Sequence, residues 1–394
     1  MSQPATLRSH LDRLQRAALF VGAAGVVLCG LGAFLNPAQF FRSYLLAYLF
    51  WLGLALGCLA ILMVHYLAGG AWGAILRRTL ESGTCTLPLM ALLFVPLLFG
   101  LGELYSWARP EAVAADALLR HKSVYLNVRF FAVRLAVYFI AWLTVAYLVN
   151  RWSRRQEQTA DWAARDAIER RLALLSGFGL LIYSITMTFA AVDWAMSLEP
   201  DWYSTIYGVL ILVGQLLGAM AFAVVITALL ANYEPLSEVI TPDHLHDIGN
   251  LLVTCILFWA YIAFSQLLII WSGNLPEEIS WYVHRTQGGW QWVGLSLALF
   301  QFALPFILLL SQDIKRHMRR LAIIAAVILF MHLVDVFWIV MPAFYRQGPS
   351  LHWLDVVAVI GVGGVWLTAV VWQLKGRPLL PLHDPSLRGA AEHG

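Results

Sequence analysis

The stretch YLLAYLFWLGLALGCLAILMVHYL, residues 44–67, contains no Asp, Glu, Lys or Arg. As a helix it is about 36 Å long at 1.5 Å per residue, enough to cross a hydrocarbon core of roughly 30 Å. Comparable apolar runs, bounded by charge, Gly and Pro, lie on both sides of it. They predict further spans near 17–35, 87–107, 126–150, 172–197, 204–232, 251–272, 290–312, 321–343 and 353–374. The composition agrees. The 394 residues are 60% hydrophobic and 12% charged, about half the charge that the surface of a soluble domain carries. An ordinary cytosolic enzyme is excluded, and the predicted fold is an all-α polytopic membrane protein with about ten transmembrane helices. Arg8, Arg13 and Arg16 precede the first run as in a secretion signal, but the run is too long and lacks an A-x-A site, so it reads as a true span.

Of the 26 basic residues, 18 fall in the tails and in the loops on the same side as the tails, and 6 in the opposite loops. The positive-inside rule therefore predicts both termini in the cytoplasm. Trp107, Trp152, Trp202, Trp271, Trp290 and Trp353 stand at span ends, as rings anchored at headgroup level would. Trp72 to Leu80, with Arg77 and Arg78, reads as a short interfacial helix. A net charge of +3 made from small totals gives no reason to expect nucleic acid as a partner.

Charges in hydrocarbon are costly, so each intramembrane ionisable residue is a candidate site: His65, Glu103, Arg134, Asp193, His332 and Asp335. Ser176, Gly179, Tyr183, Thr186, Ala190, Asp193 and Ser197 step by three or four and share one face of span five. Such a face suits a helix-packing seam, and equally a proton wire of hydroxyls and water leading to a buried carboxylate. Arg134 lies about 12 Å below the surface by helix rise, close to the depth of Asp193 on the adjacent span. An ion pair between them is the simpler account of both, and it would keep Asp193 ionised. His332 and Asp335 share a face near mid-membrane, as a proton exchanger or as a structural pair.

Val192-Asp193 is followed by Pro200 and Val334-Asp335 by Pro342, the same spacing offset by 142 residues. Spans five and nine share an orientation, so the chain divides into two parallel four-helix bundles, 44–197 and 204–343. They are flanked by 1–43 and 353–394, which carry peripheral helices, and the two aspartates are expected at equivalent places.

Two bis-histidine haems need four membrane histidines, and only His65 and His332 lie well inside spans. Cys29, Cys58, Cys85 and Cys255 occur singly, which argues against covalent haem c or a Cys-ligated iron–sulfur cluster in this chain. No phosphate-binding Gly loop or metal-ligating His/Glu cluster is apparent. A subunit without its own cofactor, facing quinone or conducting protons, fits the sequence.

Several segments carry a resemblance: Asp193-Trp-Ala-Met-Ser-Leu-Glu-Pro-Asp-Trp-Tyr-Ser-Thr-Ile-Tyr-Gly208, His246-Asp-Ile-Gly-Asn-Leu-Leu252, Phe258-Trp-Ala-Tyr-Ile-Ala-Phe-Ser-Gln266, Trp271 with Asn274-Leu-Pro-Glu-Glu278, and Leu382-His-Asp-Pro385. Together they resemble the second large membrane subunit, ActF type, of bacterial alternative complex III, a relative of the NrfD-like polysulfide-reductase membrane subunits. The likeness covers roughly residues 90–385, and Ser272-Gly273 departs from the aromatic-then-small pair of that pattern.

The resemblance implies an integral subunit of a respiratory quinol:cytochrome c or quinol:oxidase oxidoreductase in the bacterial cytoplasmic membrane. Its partners would be an NrfD-like quinol-oxidising sister, multihaem cytochrome c and iron–sulfur subunits that hold the haem c and the clusters, small membrane subunits and a terminal oxidase. Quinone, menaquinone included, would bind at the sister, with contact to this chain left open. On this reading Asp193, Tyr183 and Thr186 in the first bundle and His332 with Asp335 in the second form a proton-translocation path. Arg134 is the partner of Asp193, and Glu103 and Glu199 are the candidate exits. A purely structural scaffold and a stand-alone secondary transporter are the alternatives from other classes.

Overall fold

In a computed structural model, which describes residues 5–380, every regular element among the described residues is helical. The resembling motif at Leu382 to Pro385 lies outside them. Ten helices are long and apolar enough to cross a membrane: α1 (Thr6–Leu35), α2 (Pro37–Ala68), α3 (Ala71–Phe99), α4 (Val128–Gln158), α5 (Trp162–Leu198), α6 (Tyr207–Leu230), α7 (Pro242–Gly273), α8 (Trp290–Leu310), α9 (Met318–Ala343) and α10 (Trp353–Lys375). Ten crossings would bring the start of α1 and the end of α10 to one face, called here the terminal face.

α2, α3, α4 and α5 pack in a ring, each on the next, and α6, α7, α8 and α9 form a second ring of the same order. The rings meet where α6 lies against α2 and α5. α2 and α6 are accordingly the most buried spans, at 89% and 67% of their most apolar windows, against 22% for the peripheral α1. α10 packs on α2 and α3, and α1 is held mainly by α10.

That last contact rests on glycines, since small residues let membrane helices approach backbone to backbone. A Cβ at Gly25 would stand 2.3 Å from the Gly361 Cα, and one at Gly364 would stand 2.4 Å from the Gly22 nitrogen. Gly25→Leu is expected to lower the stability of the purified protein by about 1–3 kcal/mol through overpacking. Gly30→Leu, on the same helix but with nothing within 4 Å of an added Cβ, should leave it unchanged. Thermal denaturation of both variants checks the pair.

The largest departure from the sequence expectation is α3. It begins at Ala71, not 87, and the segment expected to lie at the interface is its buried first half. Arg77 and Arg78 are 3% and 4% exposed because Glu81, one turn on, accepts from Arg77 Nε at 3.1 Å and Arg78 Nη1 at 2.6 Å. Glu157 of α4 supplies the second carboxylate, 2.5 Å from Arg78 Nη2, so two acids offset charges that hydropathy counts as exposed. Beyond that half, Pro88 and Pro96 interrupt the helix into Leu87–Leu93 and Val95–Phe99. Tyr44 and Tyr48 of α2 donate to the carbonyls of Leu93 and Met90 at 2.7 and 3.0 Å, satisfying backbone groups at the break. The expected loop at 36–43 shrinks to Asn36, whose side chain caps α2.

α8 carries a second irregularity. Residues Leu297–Ala303 are π-helical. Pro305 lies four residues after Gln301, where its missing N–H and its ring exclude the normal α bond, so the chain takes up an extra residue per turn. The bulge places Gln301 inside the second ring, fully buried.

The tryptophans divide. Trp271 and Trp353 are exposed, as lipid anchors should be, whereas Trp107, Trp202 and Trp290 are buried in the protein. They serve as hydrogen-bonded packing elements: Trp107 Nε1 donates to Ser197 Oγ, Trp202 Nε1 to the Glu278 carbonyl and Trp290 Nε1 to the Tyr345 carbonyl.

Candidate functional site

Each ring holds one buried aspartate, on its last helix, but the two have opposite surroundings. In the first ring, Asp193 of α5 is fully buried and receives a two-pronged Arg134 of α4, Nε to Oδ2 at 2.8 Å and Nη2 to Oδ1 at 2.7 Å. Tyr138 adds its hydroxyl to Oδ2 at 2.8 Å. The guanidinium is further held by the Tyr125 carbonyl and lies on the Tyr125 and Phe130 rings at 3.9 and 4.5 Å. Planar bidentate geometry of this kind is that of an arginine–carboxylate ion pair. The ion pair weighed as the simpler account of Arg134 and Asp193 is therefore present.

Apart from Ser176, whose buried hydroxyl has no partner, the hydroxyls on this face of α5 are spent in separate bonds. Ser197 donates to the carbonyl of Asp193, Thr186 donates to that of Ile182 while accepting from Trp142 Nε1, and Tyr183 reaches across to Gln215 Oε1 of α6 at 2.6 Å. Only the last of these leaves the first ring, and it leads toward the second.

There, a small cavity of about 30 Å³ lies where α2, α5, α6 and α9 meet, bordered by Gln215, Gly214, His332 and Asp335. That is room for about two waters. His332 is 3% exposed and neither ring nitrogen has a hydrogen-bond partner; its Nδ1 stands 4.0 Å from Asp335 Oδ2, beyond direct bonding. Gly218 makes room for the ring, since a Cβ there would stand 2.3 Å from it. Asp335 receives one bond, from Trp259 Nε1 of α7 at 3.1 Å. Gln301, brought in by the π-helical bulge, is fully buried with both amide atoms unpartnered. Unpaired buried polar atoms are expensive, so the two unpartnered ring nitrogens of His332 at the edge of a water-sized space are the signature of bound water or of groups that change partners.

Of the two alternatives for His332 and Asp335, no direct bond ties them and they border one cavity instead, and the two aspartates occupy corresponding helices in unlike surroundings. Of the expected exits, Glu103 is exposed at the face opposite the termini. Glu199, at the same face, is 8% exposed and engaged by Arg285, whose Nη1 donates to both its oxygens at 3.1 and 3.4 Å. Arg285 is 1% exposed although it closes a short loop helix, Pro276–Arg285. It also donates to the carbonyls of Trp338, Ile339 and Trp281 and lies 3.8 Å over the Trp281 ring. Burial pushes its pKa down from the ordinary value, opposed by Glu199 beside it.

Sequence reasoning passed over Arg285, Gln301, Gln215 and Trp259. Arg285 had one visible mark, as the single basic residue of the 273–289 loop, and Gln301 had Pro305 four residues downstream. Among the described residues, no group of three or more His, Cys, Asp or Glu side chains is placed to hold a metal ion. No protein-family model matches the chain, and no curated protein matches it.

Proposed function

We propose that this chain is a proton-relaying and scaffolding membrane subunit of a respiratory quinol-oxidising complex, with Asp335, His332 and Gln301 as the relay centre. The observation that carries the relay is the cavity between the rings, bordered by a buried imidazole without a partner and by a carboxylate with one. A carboxylate and an imidazole joined by one or two waters exchange protons, whereas a bidentate ion pair does not. The Tyr183 to Gln215 bond extends the centre toward the first ring.

Asp193 and Arg134 favour a structural role in the first ring, so scaffold and relay divide between the two bundles. The association with quinol chemistry rests on the resembling segments, from Asp193 to Gly208 and from His246 to Glu278. In that assembly the sister subunit would oxidise quinol, and partner subunits would carry haem c and iron–sulfur clusters. Both termini would face the cytoplasm of a bacterium.

Purification of the full-length chain from its native membrane tests the assignment. Co-elution with c-type haem absorbance that is reduced on adding quinol is the expected result. A chain that elutes alone, without haem and without quinol-dependent reduction, would exclude it.

A further inference from the structure

The exit that the relay reading expects at Glu199 is closed. Ile339, whose carbonyl accepts Arg285 Nη2 at 2.8 Å, lies one turn beyond Asp335 on α9, about 6 Å along the axis. The guanidinium therefore stands about one turn nearer than the carboxylate to the face opposite the termini. Its bonds run to three carbonyls and to Glu199, tying the end of α9 and the start of the α5–α6 connection to the loop helix. Trp281 lies beneath it and Trp202 stacks on Trp281 at 5.1 Å, so aromatic rings fill the space around the charge. Tyr207, fully buried with an unpartnered hydroxyl, packs edge-on against both rings.

We propose that Arg285 is an electrostatic plug that seals the Asp335 centre from the face opposite the termini. The proposal rests on the relay reading of Asp335. A fixed cation in a low-dielectric passage repels hydronium, the device by which an arginine excludes protons from water-conducting pores. Glu199, with His284 Nδ1 at 3.7 Å, holds the plug in place and does not serve as an open exit. The relay centre then exchanges protons by way of Gln215 and Tyr183, away from the sealed face.

The test uses the full-length chain, with whatever subunits copurify, reconstituted into liposomes that hold a pH-sensitive dye and a potassium diffusion potential. Wild type should be tight without turnover. The double variant Arg285→Gln/Glu199→Gln removes the cation without stranding its counter-ion, and its passive proton leak should rise about tenfold or more. Adding Asp335→Asn should return the leak to background. An unchanged leak in the double variant overturns the plug, and so does a leak that persists with Asp335→Asn.

If the double variant fails to assemble, Glu199→Gln alone keeps the cation and should stay tight; leakage there also overturns the proposal. The relay reading is judged separately, by the proton-to-electron ratio of Asp335→Asn during turnover. A ratio that falls while the double variant stays tight defeats the plug alone. An unchanged ratio with a leak that depends on Asp335 defeats the relay alone.

Discussion

Asp335→Asn is expected to abolish the proton movement that this subunit contributes during turnover while leaving the protein folded. The substitution keeps size and shape, and the amide oxygen still accepts from Trp259 Nε1, which donates to Asp335 at 3.1 Å. It removes the group that takes up and gives back a proton beside the cavity. General acid–base contributions are typically about 10²-fold or more, so the coupled proton flux through this path should fall by that order. The proton-to-electron ratio of the reconstituted complex should drop to what quinol chemistry alone releases. The double variant Arg134→Met/Asp193→Leu, which removes the first ring's pair without stranding either charge, is the control and should leave the ratio unchanged.

Arg134→Met is expected to be the most destabilising single change in the first ring. It leaves Asp193, fully buried, with only the Tyr138 hydroxyl and no cation. Removing one partner of a buried pair typically costs about 3–5 kcal/mol, because the stranded charge is uncompensated. The double variant Arg134→Met/Asp193→Leu removes both charges and should recover most of that loss, since a well-packed apolar pair is often as stable as a buried ion pair. Thermal unfolding of the detergent-purified protein reads both variants. A single variant as stable as wild type would show that the pair does not hold α4 to α5.

The spans were legible in the sequence because hydrocarbon selects apolar runs whatever they pack against. Nine of the ten begin or end near the expected residues, and several helices extend past the apolar run, as α5 does by starting at Trp162. The tenth, α3, was misplaced because a hydropathy profile weighs Arg77 and Arg78 as free charges. It does not register that Glu81 one turn on pairs with both, that Glu157 of α4 faces them, or that Ser153 of α4 donates to Glu81.

The candidate site divides along the same line. Charged residues inside spans announce themselves, so Arg134, Asp193, His332 and Asp335 were found, together with the alternative that the first two pair. Gln215, Gln301 and Trp259 are neutral and common in helices, and nothing local marks that Gln215 borders the cavity, that Trp259 bonds to Asp335 or that Gln301 is buried. Only the packing of the two rings shows that Tyr183 points at Gln215 and that the π-helical bulge turns Gln301 inward. Arg285 lay outside every span, in a loop where a basic residue is ordinary. Its burial arises from the fold of the loop helix over the end of α9.

A density map of the purified protein that resolves ordered water is the most direct test of the division between a wet second ring and a locked first one. The expected result is water within hydrogen-bond distance of His332 Nδ1, Asp335 Oδ2 and the Gln301 amide, and Arg134 directly on Asp193 with no water between them. A dry cavity with His332 bonded straight to Asp335, or water separating Arg134 from Asp193, would contradict it.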